Sequence, residues 1–238
     1  MSAQQPPITP VNPGPPAPPP APDGALRPIR GAARCAIAAL ALATVAWAAR
    51  AVWHIRLAMA GSPASGPPDQ GDGVHRLPTA LEDSYHVVSS AGDAATVICA
   101  VAFLLWLDRV RDNARALSGT KPRYAYPWLF LGWIVPVMNL WVPRGMVADV
   151  HSSVFPDRRL PAVVNWWWGL WLAGLVGGVG LIYADPTDEV IARAYTGVVP
   201  LLVADLAIVA AAATAALMTR TLTTAQQQYM DEAPRPAA

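Results

Sequence analysis

Apolar and polar positions fall in long blocks along this chain rather than with the period of a half-buried helix or strand. Five apolar stretches follow residue 30, at 35–49, 87–107, 124–142, 160–184 and 195–219. A hydrocarbon core about 30 Å thick needs about 20 apolar residues at about 1.5 Å each. The last four stretches are each long enough to cross it. The first covers only about 22 Å, and eight of its fifteen residues are alanine. Its helix is expected to continue through Trp53 and Ile55, with Arg34 and Arg50 snorkelling toward the surface. The pattern predicts an all-α integral membrane protein with a transmembrane domain at 33–220. Its apolar segments are expected at 33–57, 87–107, 124–148, 160–184 and 195–219.

The flanks read differently. Residues 1–30 hold eleven prolines, which cannot donate backbone hydrogen bonds and bury little. A disordered Pro-rich tail over 1–32 is expected, with local polyproline II character. Residues 61–86 read as a polar loop and 221–238 as a polar C-terminal tail. A cleaved signal over 33–60 is the rival for the first stretch. Its basic residues suit an n-region and Ala58-Met59-Ala60 a cleavage site. The leader is too long for one, and Arg50, His54 and Arg56 stand before the site.

Composition agrees with the pattern. Charged residues are only 14% of the chain and hydrophobic ones 54%. A soluble domain carries about 25% charge. These figures exclude a disordered chain, a nucleic-acid binder and an ordinary cytosolic enzyme. Cys35 and Cys99 both lie in apolar runs, so a disulfide framework is excluded and both read as small buried hydrophobes.

Basic residues mark the cytoplasmic side. With five full spans and the N-terminus inside, nine of the seventeen face in and eight face out, which is no bias. If the third stretch enters and leaves on one side, thirteen face in and four face out. The loops left outside are also acidic, with Asp69, Asp72, Glu82 and Asp83 in one and Asp185, Asp188 and Glu189 in the other. Charge therefore favours four spans plus a Pro-broken or re-entrant fifth segment in a plasma-membrane protein whose N-terminus is cytoplasmic. Five full spans are the alternative. Pro136 and Pro143 make a break plausible, since each frees the carbonyl four residues back. The carboxamide of Asn139 is placed to satisfy one of them.

Trp106, Arg109 and Asn113 share a helix face at i, i+3 and i+7. Gly132-Trp133, Pro136, Asn139 and Pro143 follow, and then Asn165-Trp166-Trp167-Trp168. This series resembles the domain of unknown function 4328 family over roughly residues 85–225. The resemblance implies a multi-pass membrane protein of actinobacterial type. It implies no activity and no cofactor.

Asp93 and Asp205 are the only acids inside apolar stretches. Intramembrane carboxylates are costly and often mark ion or proton paths. Asp205 is the stronger candidate, about ten residues from each end of its span, with Asn165 or Asn139 as expected partners. Asp93 also fits a helix start, in Ser89-Ser90-Ala91-Gly92-Asp93. Arg109, Arg111 and Arg115 could take anionic lipid headgroups, or simply form the inside-positive flank with Asp108 and Asp112 pairing to Arg111 and Arg115. Trp106, Trp166, Trp167, Trp168 and Trp171 read as an aromatic belt at the headgroup level. Gly174 and Gly178 read as close helix packing.

No nucleophile elbow, phosphate loop or metal-ligand spacing is present around the histidines or Lys121. The expectation is a non-catalytic scaffold or accessory protein without cofactor or metal, set in the lipid bilayer and working on a protein partner through its tail and inner loops. A small transporter or channel using an intramembrane Asp is the alternative.

Overall fold

The computed structural model describes residues 26–70, 74–176 and 187–232. These form α1 (Arg30–Ala60), α2 (Ala80–Ser118), α3 (Trp128–Ile134), a 3-10 turn (Met138–Leu140), α4 (Val142–Val154), α5 (Ala162–Val176), α6 (Thr187–Thr196) and α7 (Val198–Glu232). Among the described residues there is no strand, only an isolated bridge between Asp69 and His75. Helices α1, α2 and α7 are long and apolar enough to cross a membrane, and α5 is a shorter apolar helix. The Pro-rich segment at 1–25, and residues 177–184 of the fourth stretch with Gly178, lie outside the described residues.

Helix α2 begins earlier than its apolar stretch. Thr79 and Glu82 form a capping box, with Glu82 N–H donating to Thr79 Oγ1 at 3.3 Å and Thr79 N–H donating to Glu82 Oε2 at 2.6 Å. At the far end Gly119, with φ +62°, closes the helix by donating to the Arg115 carbonyl. The 39 residues of α2 extend about 57 Å, nearly twice a bilayer core. Residues 80–86 and 108–118 are therefore helical rather than loop. Asp93 is not at a helix start but one-third of the way along α2, on its exposed face.

The third stretch is not one helix. A residue before proline is pushed out of the helical region, and Val135 adopts ψ 114° ahead of Pro136, ending α3 at Ile134. The chain restarts through the 3-10 turn, and Pro143 stands in the first turn of α4, where a missing N–H is harmless. Gly132 lets the two halves meet. A Cβ there would lie 2.7 Å from Val142 Cγ1.

Helix α1 packs along both α2 and α7, α5 along α7, and α4 against α2 and α5. The main core joins Trp106, Phe103, Leu129, Met146, Trp167 and Met218. At Gly174 a Cβ would come within 2.4 Å of Ile208 Cδ1, so α5 lies close on α7 through that residue. The segment expected as a polar C-terminal tail is helical as far as Glu232. It is held because Gln226 Nε2 donates to the Val110 carbonyl at 2.9 Å and Thr223 accepts from Trp106. Helix α6 also stands where a loop was expected, burying Val190, Ile191 and Ala194 against Leu57 and Tyr85.

Candidate functional site

Four polar side chains from three long helices meet near one end of the bundle. Arg50 and His54 stand one turn apart on α1, and Asp205 comes from α7 and Tyr85 from α2. His54 Nδ1 lies 2.7 Å from Asp205 Oδ2, and His54 Nε2 lies 2.8 Å from the Tyr85 hydroxyl. Arg50 Nε is 3.9 Å from Asp205 Oδ1. His54, Tyr85 and Asp205 are wholly buried. The guanidinium also lies over the Trp47 ring, 4.7 Å from its centroid.

The arrangement is a row of hydrogen bonds. If the Tyr85 hydroxyl donates to Nε2, the Nδ1 proton points at the carboxylate. A protonated ring would donate at both nitrogens. Either state leaves Asp205 facing two groups of α1. Asp205 Oδ1 and Arg50 Nε are each buried without a hydrogen-bond partner among the described residues.

Asp205 is therefore paired, but not with Asn165 or Asn139. Asn165 Oδ1 accepts from Arg144 at 2.7 Å, and the buried Asn139 has no hydrogen-bond partner for its Oδ1 among the described residues. The sequence reading has Arg50 snorkelling from the first span and gives His54 no partner. They stand at i and i+4, on one face of α1, but only the packing of α1 against α7 brings that face to Asp205.

A second polar group lies one turn from the first. Glu82, fully buried, accepts from Arg76 at 2.6 and 2.8 Å and from the Tyr195 hydroxyl at 2.8 Å. The carboxylate holds the Arg76 guanidinium above its usual range. Burial, reinforced by Glu82, pushes the Tyr195 phenol up to about 12. These bonds fix α6 and the 74–79 segment onto α2.

The residues that carry the sequence resemblance do structural work elsewhere. Trp106 is buried in the core, and its Nε1 donates to Thr223 Oγ1 at 2.9 Å, so it is not a belt residue. Trp167 and Trp168 are likewise inside, and Trp168 donates to the Leu140 carbonyl. Trp166 is the exposed one, at 68%. An indole at the end of a span can face lipid headgroups or a neighbouring helix, and residue type alone does not separate the two. Trp133 packs edge-on against Phe103 and Trp171.

Asn113 clamps the chain leading into α1. Its Oδ1 accepts from Arg27 N–H and its Nδ2 donates to the Arg27 carbonyl, both at 2.8 Å. Arg109 donates to the Pro28 carbonyl. Asp108 and Asp112 pair with Arg27, at 3.2 and 2.7 Å, rather than with Arg111 and Arg115. That contact holds the Arg27 guanidinium above its usual range, with the Asp112 hydrogen bond as the main cause. Arg111 is turned inward to the Tyr124 carbonyl, and Arg115 remains exposed. Cys35 is exposed rather than buried, and both cysteines are free.

Among the described residues no group of His, Cys, Asp or Glu could hold a metal ion. A family model, Domain of unknown function (DUF4328), matches residues 78–224. Neither a curated protein nor a solved structure matches the chain.

Proposed function

The chain belongs to the DUF4328 family, and on that premise we propose that it is a non-catalytic scaffold or accessory protein of the cell membrane. The reading rests on one observation. Both oxygens of Asp205 are turned toward α1, one bonded to His54 and the other facing Arg50. A carboxylate enclosed in this way locks helices together.

In this reading the Pro-rich N-terminus and the 108–123 and 144–160 segments lie in the cytoplasm. The broken third segment enters and leaves on that side, and α5 belongs to a fourth span. A protein partner is engaged from the cytoplasmic face. Anionic headgroups are met by the Arg109, Arg111 and Arg115 flank, chiefly by the exposed Arg115.

A small transporter is the second reading. It is favoured by Asp205 Oδ1 and Arg50 Nε, which face each other without a hydrogen bond, beside the His54–Tyr85 pair. Asp205→Asn separates the two, because an amide keeps a hydrogen-bond acceptor but does not titrate. The scaffold reading expects a folded protein that complements a deletion strain, while removal of residues 1–25, which leaves the Arg27 clamp intact, abolishes complementation. A folded Asp205→Asn protein with no activity, alongside an indifferent tail deletion, would give the site to transport.

A further inference from the structure

The chain leaving α2 turns back beside it before α3 begins, and a cavity of about 400 Å³ lies between the two. Arg111, Asp112 and Arg115 line it from α2, Thr120 and Lys121 from the connection, and Tyr126 from the approach to α3. Gly119, in the left-handed region, makes the reversal, and the Ser118 and Thr120 hydroxyls, 2.7 Å apart, pin it. Arg111 donates to the Tyr124 carbonyl and lies 5.8 Å from the Tyr126 ring centroid, so the far end of the connection is tied to α2 as well.

The charges around this cavity do not balance. Arg111, Arg115 and Lys121 share the lining with one acid, Asp112, and that carboxylate already accepts from Arg27 at 2.7 Å. Arg111 is held by the Tyr124 carbonyl. Arg115 and Lys121 are exposed, and the side chain of neither has a hydrogen-bond or ion-pair partner among the described residues. The C-terminal end of α2 offers them about half an elementary charge, less than the two full charges that stand there. One side of the rim is apolar. Tyr126, 54% exposed, packs edge to face against Phe130, 43% exposed, with centroids 5.9 Å apart. The exposed Leu131 and Ile134 of α3 continue that surface.

We propose that this cavity holds the headgroup of an anionic phospholipid, whose phosphate accepts from Arg115 and Lys121 while its acyl chains lie along Phe130 and Ile134. The proposal deepens the reading that the basic flank of α2 meets anionic headgroups, and rests on it. It adds Lys121 and a bounded site, and it leaves out Arg109, whose guanidinium donates to the Pro28 carbonyl. A phosphate suits cations that come from two segments, because it presents several acceptor oxygens and its hydrogen bonds to them are charge-assisted. Basic pockets beside membrane helices take such headgroups. The apolar rim separates a lipid from a soluble phosphate ester. Only a molecule with hydrocarbon chains gains by covering Phe130 and Ile134.

The test uses the purified full-length protein in detergent, with dioctanoyl phosphatidic acid, dioctanoyl phosphatidylcholine and glycerol phosphate as probes. Native mass spectrometry counts the molecules bound, and isothermal titration gives the affinity. A single phosphatidic acid should bind, about tenfold more tightly than either other probe. Arg115→Gln and Lys121→Gln should each weaken it several-fold, and the double variant should hold it no better than phosphatidylcholine. Neither side chain has a partner to lose, so the melting temperature without lipid should not move. Arg109→Gln and Arg159→Gln remove the same charge outside the cavity and should leave the affinity as it is. If Arg109→Gln weakens binding as much as Arg115→Gln while Lys121→Gln does nothing, the flank reading stands and the cavity is wrong. No preference for phosphatidic acid over phosphatidylcholine would overturn both. Glycerol phosphate bound as tightly as the lipid would overturn the lipid assignment in favour of a soluble phosphate ester.

Discussion

His54 Nδ1 lies 2.7 Å from Asp205 Oδ2, joining residues 151 positions apart and making the only direct side-chain hydrogen bond between α1 and α7 among those described at the buried cluster. Both groups have lost all contact with solvent. Burying either alone would be expensive, so each depends on the other.

The pair should show strong coupling. His54→Leu leaves Asp205 with Arg50 alone and should destabilise the protein by about 3–5 kcal/mol, the cost of breaking a buried pair. Asp205→Leu leaves the buried Arg50 and His54 without their acceptor and should likewise cost about 3–5 kcal/mol. The double variant should be less destabilised than the sum of the two. Chemical denaturation of all four proteins in mixed micelles completes the cycle, and strict additivity would mean that the contact is energetically idle.

Asn113 should control access to the chain before α1. Asn113→Leu removes both bonds to the Arg27 backbone, each worth about 0.5–1.5 kcal/mol. Trypsin should then cut after Arg30 faster than in the wild type, with the spans intact. Unchanged cleavage would show that the Arg27 ion pairs suffice to hold the segment.

Gly132 should reject even a methyl group. The Cβ of Gly132→Ala would meet Val142 Cγ1 at 2.7 Å and Val142 Cβ at 3.2 Å, and a β-branched neighbour has little freedom to turn aside. A loss of about 1–3 kcal/mol is expected. Val142→Ala in the same chain should restore most of it, as read by melting temperature.

Low pH should weaken the fold through His151. Burial, helped by the Arg158 charge, lowers its pKa from the ordinary 6.5. The unfolded chain therefore takes up a proton that the folded chain resists. The resulting stability loss begins as pH falls through about 6.5 and levels off once pH is below the folded value. His151→Asn should flatten this part of the pH profile between 7.5 and 5, while the other histidines contribute equally to both proteins. Parallel profiles would remove His151 from the account.

The proposed topology makes its own prediction. In a background lacking Cys35 and Cys99, an impermeant thiol reagent added to intact cells should label a cysteine at the exposed position 65 and miss one at the exposed position 157. Labelling at 157 from outside would mean that the third stretch crosses completely.

Much of the helical organisation follows from chemistry that is local in sequence. Long uncharged runs with few polar groups must satisfy their backbone internally, which means helix, and Pro136 and Pro143 forbid an uninterrupted one. The true start of α2 was also local, in Thr79 and Glu82, and lay outside the apolar run because a capped helix can extend well beyond a bilayer core. Other features depend on where helices meet. Whether Trp106 and Trp167 face lipid headgroups or a neighbour, whether Asp112 turns to Arg115 or to Arg27, and whether Asp205 finds an asparagine or a histidine are questions about distances between residues far apart in the chain. Hydropathy measures what each residue costs to bury and carries no information about which partner meets it. Only the packing of α1 between α2 and α7 decided that the polar margin of the first span supplies the partners of the acid in the last.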